Sequence, residues 1–116
     1  MKNTISLYIN HPSAKRAEYF LNSVEEELVQ IPFDWHTLKR ANVINAAAKF
    51  ETENRSIIIT VVFADSYLDA NEIAIANAVP ELPHVRWTVN GDVLYLVDAA
   101  DKDKVSELLG LFAGDE

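Results

Sequence analysis

Apolar and polar positions alternate over residues 85–97 in two runs separated by Asn90-Gly91. That dipeptide favours a tight two-residue β-hairpin, because both central residues need φ > 0. With Asn90 and Gly91 as the turn, Val89 faces Asp92, Trp87 faces Leu94, Arg86 faces Tyr95 and Val85 faces Leu96. One side then carries Val85, Trp87, Val89, Leu94 and Leu96, a core face. The other carries His84, Arg86, Thr88, Val93, Tyr95 and Val97, too apolar for an ordinary wet face.

Period two recurs upstream. Ile5, Leu7 and Ile9 alternate with Ser6, Tyr8 and Asn10, which predicts a first strand. Ile44, Ala46, Ala48 and Phe50 alternate with Asn45, Lys49 and Glu51, against the helix propensity of the alanine run. A turn at Glu53–Asn54 sets Phe50 opposite Ile57, Ala48 opposite Ile59, Ala46 opposite Val61 and Ile44 opposite Phe63. One register thus buries one face of both strands.

Helical spacing covers the rest. Ala14, Ala17, Phe20, Leu21, Val24, Leu28 and Ile31 recur at three and four residues and predict a helix opened by Pro12 or Ser13. A second helix follows Asp65–Ser66 and ends before Pro80. A third begins after Asp101, with Val105, Leu108, Leu109 and Phe112 as its stripe and Gly114 as its stop.

The order β-α-β-β-α-β-β-α implies an α+β fold: a ferredoxin-like βαββαβ sandwich with a fifth strand and a C-terminal helix appended, mainly antiparallel. In that arrangement the strands run 4-1-3-2, both helices cover one face, and the fifth strand extends the sheet beside the fourth. The opposite face would collect Tyr8, Ile58, Thr60, Val62, Arg86 and Tyr95 among others. It is the expected partner- or ligand-binding surface, covered by the last helix, a second copy or a ligand.

Composition narrows the partners. The 116 residues, 49% hydrophobic, form one domain, 1–116, large enough for a core without staples. Ten basic residues against eighteen acidic ones, a net charge of -8, argue against nucleic acid and against an anionic membrane surface. No stretch has the length of a membrane span or of a signal peptide, and there is no cysteine. A complete, soluble, cytoplasmic chain is therefore expected.

Candidate chemistry is sparse. In the inferred topology His11 and His84 fall near one end of the sheet with Asp98. Two imidazoles and a carboxylate there could ligate a divalent metal or serve a reaction. The connection Phe33–Arg40 holds Trp35 and His36 beside Lys39 and Arg40, either as a binding loop or as a plug on the core. No phosphate loop and no nucleophile elbow occurs, and no cofactor is expected. The resulting expectation is a non-enzymatic domain that self-associates as a dimer or binds a protein partner through the open sheet face. A ligand pocket between the sheet and the C-terminal helix is the alternative. A site at the histidine end is the third possibility.

Overall fold

A computed structural model of the chain describes residues 3–77 and 85–114. Three helices, α1 (Ala14–Asn22), α2 (Tyr67–Asn77) and α3 (Lys102–Ala113), pack on a five-stranded antiparallel sheet. Its strands are β1 (Leu28–Ile31), β2 (Ile44–Thr52), β3 (Ile57–Ala64), β4 (Val85–Asn90) and β5 (Val93–Ala99), in the order β1-β2-β3-β5-β4. The α+β class holds. The ferredoxin-like order does not: residues 3–10 form no strand, and β3 pairs with β5 rather than with an N-terminal strand.

Residues 3–10 do alternate as an extended segment should, with Leu7 buried and Tyr8 exposed. Their backbone groups are satisfied by α1 side chains instead of a neighbouring strand. The Ile5 N–H donates to Asn22 Oδ1 (2.6 Å), the Asn22 amide donates back to the Ile5 carbonyl (3.2 Å), and the Leu7 N–H donates to Glu18 Oε1 (2.7 Å). Glu18 and Asn22 are four apart, so one helix flank serves alternate residues of an extended chain.

The first helix was expected to reach Ile31 but stops at Asn22. Leu28–Ile31 forms an edge strand, with Leu28 opposite Thr52 and Ile31 opposite Lys49. Asn3 holds the break. Its amide donates to the Val24 and Glu26 carbonyls (2.9 and 2.8 Å), and its Oδ1 accepts from the Leu28 N–H (2.8 Å). Leu28 is buried in either structure, so apolar spacing alone could not distinguish them.

Both hairpins form, each displaced by two positions from the expected register; a bulge between Ile44 and Ala46 turns Ile44 to the second core, so it leaves the face that Ala46, Ala48 and Phe50 keep. Phe50 pairs with Ile59 and Ala48 with Val61, around a turn in which Arg55 is left-handed (φ 58°). In the second hairpin Asn90 pairs with Val93, so Gly91 and Asp92 are the central residues and only Gly91 has positive φ (63°). That is the pattern of a type II′ turn.

What changes is which side of the second hairpin joins the main core. Val61 lies opposite Tyr95, Ile59 opposite Val97 and Phe63 opposite Val93. The side carrying Val93, Tyr95 and Val97 therefore packs with α1, α3 and Leu7 in the larger core. Trp87, Val89, Leu94 and Leu96 face the other way, with Val62, and pack on α2. The helices thus cover both faces, α1 and α3 on one and α2 on the other.

Tyr95, expected on the open face, is fully buried. Its ring stacks on Phe112 (4.7 Å between centroids, 5° between planes) and meets Phe20 edge-on (6.1 Å). Burial pushes its phenol above the ordinary range, and its hydroxyl has no protein partner among the described residues. Val62, likewise expected to be open, is buried beneath α2.

Removing the unpartnered hydroxyl in Tyr95→Phe should leave stability within about 0.5 kcal/mol of the parent or raise it, while Tyr95→Ala should cost about 3–5 kcal/mol. Asn3→Ala strands three backbone groups and should cost about 2–4 kcal/mol; Asn3→Asp, which keeps only the acceptor, should fall between. Urea unfolding midpoints of the four variants check both statements.

Candidate functional site

The residues that the sequence singles out do not converge on one place. Tyr8 is 97% exposed on the N-terminal segment. Ile58 and Thr60 are half-buried on the α2 side of the sheet, while Tyr95 lies in the core on the other side. Arg86 is exposed on β4 and lines a hollow of about 240 Å³ with Lys102, Val105, Ser106 and Leu109 of α3.

His11 and Asp98 were expected at one end of the sheet, but β5 separates them. Asp92, beside His11, and Asp98 are six residues apart along the hairpin and β5, about 20 Å. The imidazole of His11 is committed to structure. Its Nε2 lies 2.7 Å from the Ala64 carbonyl, and its Nδ1 accepts from the Ser13 N–H (3.1 Å). This assigns the Nε2–H tautomer, which leaves no lone pair for a metal. The Ser13 hydroxyl donates to Asp92 Oδ1 (2.6 Å), and the Asp92 carbonyl accepts from the Ala64 N–H (2.9 Å). The cluster knots the N-terminal segment to the end of β3 and to the second hairpin. His84 lies outside the described residues. Among those described, no group of three His, Asp or Glu side chains is arranged to hold a metal.

Trp35 and His36 sit on a single 3-10 turn, Trp35–Thr37, capped by Asp34, whose carboxylate accepts from the His36 N–H (2.9 Å). Trp35 meets Phe33 edge-on (5.0 Å) and remains 43% exposed. Beyond it the connection is fixed to α2. Leu38 packs into the second core, Asn77 bonds both the N–H and the carbonyl of Lys39 (2.8 and 3.1 Å), and Arg40 pairs with Glu72.

A feature that local apolar spacing did not single out is α2 itself. Its buried side is Ala70, Ile73 and Ala74, yet Tyr67, Leu68 and Ile75 are 58%, 77% and 70% exposed. Apolar residues all round a helix mean two contact surfaces, and "YLDANEIAI" carries that signal at positions 67–75. At 100° per residue Tyr67, Asn71 and Ile75 form one flank of the helix, and Asp69, Glu72 and Ala76 the other. The second flank faces Arg40 and the approach to β2. The first therefore faces β4.

Next to that flank runs a strand edge. Asn90 and Val93 close the hairpin as a hydrogen-bonded pair, so Asn90, Thr88 and Arg86 direct their backbone groups at β5. The N–H and C=O groups of Val85, Trp87 and Val89 point outward, and β4 has no neighbour on that side among the described residues. On the opposite face α3 lies over β4 and β5 and presents Lys102, Ser106 and Leu109 to the same edge. Its other flank is tied to the turn before β1 by Lys104, which contacts Glu26 and Glu107 at 2.8 Å each. The hydrogen bond to Glu107, then that to Glu26, holds the Lys104 amine well above its usual range.

No helix among the described residues is long and apolar enough to cross a membrane. Comparison of the chain with models of protein families, with curated proteins and with solved structures gave no match, so its surfaces alone carry the functional argument.

Proposed function

We propose that the chain is a non-enzymatic protein-interaction domain of the cytoplasm whose working surface is its β4 side. The observation that carries this is the exposure of Tyr67, Leu68 and Ile75 together on one helix. Soluble monomers leave such apolar area in contiguous patches mainly where another macromolecule covers it. The open half of the sheet's α2 side, with Ile58 and Thr60, lies across β5 from β4 and is more polar, carrying Lys49 and Glu51 as well. The absence of cysteine and the acidic balance are compatible with a reducing, protein-rich compartment.

The hollow at Arg86 supports a second reading, a small-molecule site between the sheet and α3. Its volume of about 240 Å³ falls below the ~300–1,000 Å³ usual for ligand pockets, which ranks this reading second.

A photo-crosslinking residue placed at position 75 or 68 in cells that make the protein should give discrete protein adducts, and one placed at exposed Lys15 on α1 should not. Leu68→Glu with Ile75→Glu should remove adducts formed from position 67, with folding stability unchanged within about 0.5 kcal/mol. Equal labelling from positions 75 and 15, or none from either, would overturn the proposal.

A further inference from the structure

The two edges of the sheet are unlike. β1 is four residues long and ends at Pro32, devices that blunt an edge against pairing. β4 is six residues long and contains no proline, no lysine and one charge, Arg86. An edge left in that state, beside exposed apolar side chains, is a template for another strand.

Resting on the interaction surface proposed above, we infer that the occupant is a second copy of this chain, joined β4 to β4′ in antiparallel pairing about a two-fold axis at Trp87. Parity selects this register. Only Val85, Trp87 and Val89 direct backbone groups outward, and all three share one face with α2. Setting Trp87 opposite Trp87 of the second copy pairs Val85 with Val89 on each side. That makes about six interchain backbone hydrogen bonds, and it brings like face to like face. Centring on Thr88 leaves about four. In the Trp87 register Arg86 lies opposite Thr88 of the other copy rather than directly opposite its own mate.

The helices fit the same geometry. Strands lie ~4.8 Å apart, so a helix seated over the β4–β5 seam is ~5 Å from the two-fold axis and ~10 Å from its mate. Packed helices lie 8–10 Å apart, so α3 and its copy would meet through their Ser106–Leu109 flanks. That contact would fill the hollow beside Arg86. On the other face the flank of Tyr67, Asn71 and Ile75 meets its own copy.

Charge points the same way. Eighteen carboxylates are spread over this chain, yet the facing elements, the Tyr67–Ile75 flank, β4 and the Ser106–Leu109 flank, contribute none. Two copies of net charge -8 can approach there without setting acid against acid.

Sedimentation equilibrium of the intact chain should give twice the mass of one chain. Val89→Pro removes an outward N–H that serves no bond within the monomer and should give a folded monomer. Ser106→Arg, which leaves the strand untouched, should do the same, with circular dichroism confirming the fold in each case. The chain has no cysteine, so register can be read by disulfide formation. Arg86→Cys mixed with Thr88→Cys should crosslink, since opposed non-hydrogen-bonded residues have Cα atoms ~4.5 Å apart. Either variant alone should not, its two cysteines being ~8 Å apart. Crosslinking by Thr88→Cys alone would overturn the register. A dimer that survives both Val89→Pro and Ser106→Arg would overturn the edge interface. A chain still monomeric at about 1 mM would overturn the second copy as occupant, while adducts to a different protein from position 75 would leave the interaction domain standing.

Discussion

β3 is the strand on which the rest of the structure depends, because its two sides belong to two different cores. Ile57, Ile59, Val61 and Phe63 face α1 and α3, while Val62 faces α2. Such a strand reads as a continuous apolar run, as "IIITVVFA" does. Its antiparallel pairing with β5, Val61 opposite Tyr95, fixes the parity of the whole second hairpin. A pairing shifted by one residue would put Tyr95 under α2 and Leu94 against α1, exchanging every side chain of β4 and β5 between the cores. Trp87 faces α2, and Thr88 faces α3, for this reason alone.

The knot of His11, Ser13, Asp92 and Ala64 ties down the end of that strand. It satisfies both ring nitrogens of a nearly buried histidine, and it brings a loop carboxylate to the start of α1. Ser13 gives its hydroxyl to Asp92 and makes no side-chain cap on its own helix. Arg16, one turn into α1, donates to the Asn90 carbonyl (3.2 Å), and Asn90 in turn donates to the Phe112 carbonyl at the end of α3 (2.9 Å). These polar contacts join α1, the second hairpin and α3 at one corner of the molecule. Side chains that could suggest catalysis in a sequence are here occupied in holding the fold together.

α1 and α3 cover one face of the sheet, while α2 covers only the β3–β5–β4 part of the other. Tyr67, Leu68 and Ile75 of α2 stay exposed, as Tyr8, Tyr19, Val29 and Trp35 do elsewhere, and the edge strands β1 and β4 each keep one unpaired side among the described residues. α2 and β4 are neighbours, and neither β4 nor the flank of Tyr67, Asn71 and Ile75 carries a carboxylate. A surface of this kind satisfies three separate constraints, apolar area, hydrogen-bond valence and charge, through a single contact.

The sequence by itself determined what depends on near neighbours. Both hairpins, the start of each helix and the alternating N-terminal segment follow from local spacing and turn chemistry. The register errors, two positions in each hairpin, kept side chains on their expected side because the side-chain period is two, except Ile44, which the bulge before Ala46 turns to the second core. Apolar spacing could not decide between helix and strand for Leu28–Ile31, since a clamp from Asn3, far away in sequence, makes that choice. Nor could it decide which apolar side of the second hairpin joins the main core, since both sides are apolar. The tertiary structure decided that through the β3–β5 pairing. The same pairing dispersed the expected open face, burying Tyr95 and Val62, separating His11 from Asp98, and placing β4 at an edge of the sheet beside α2. Those outcomes rest on contacts between residues distant in the chain, where local periodicity carries no information.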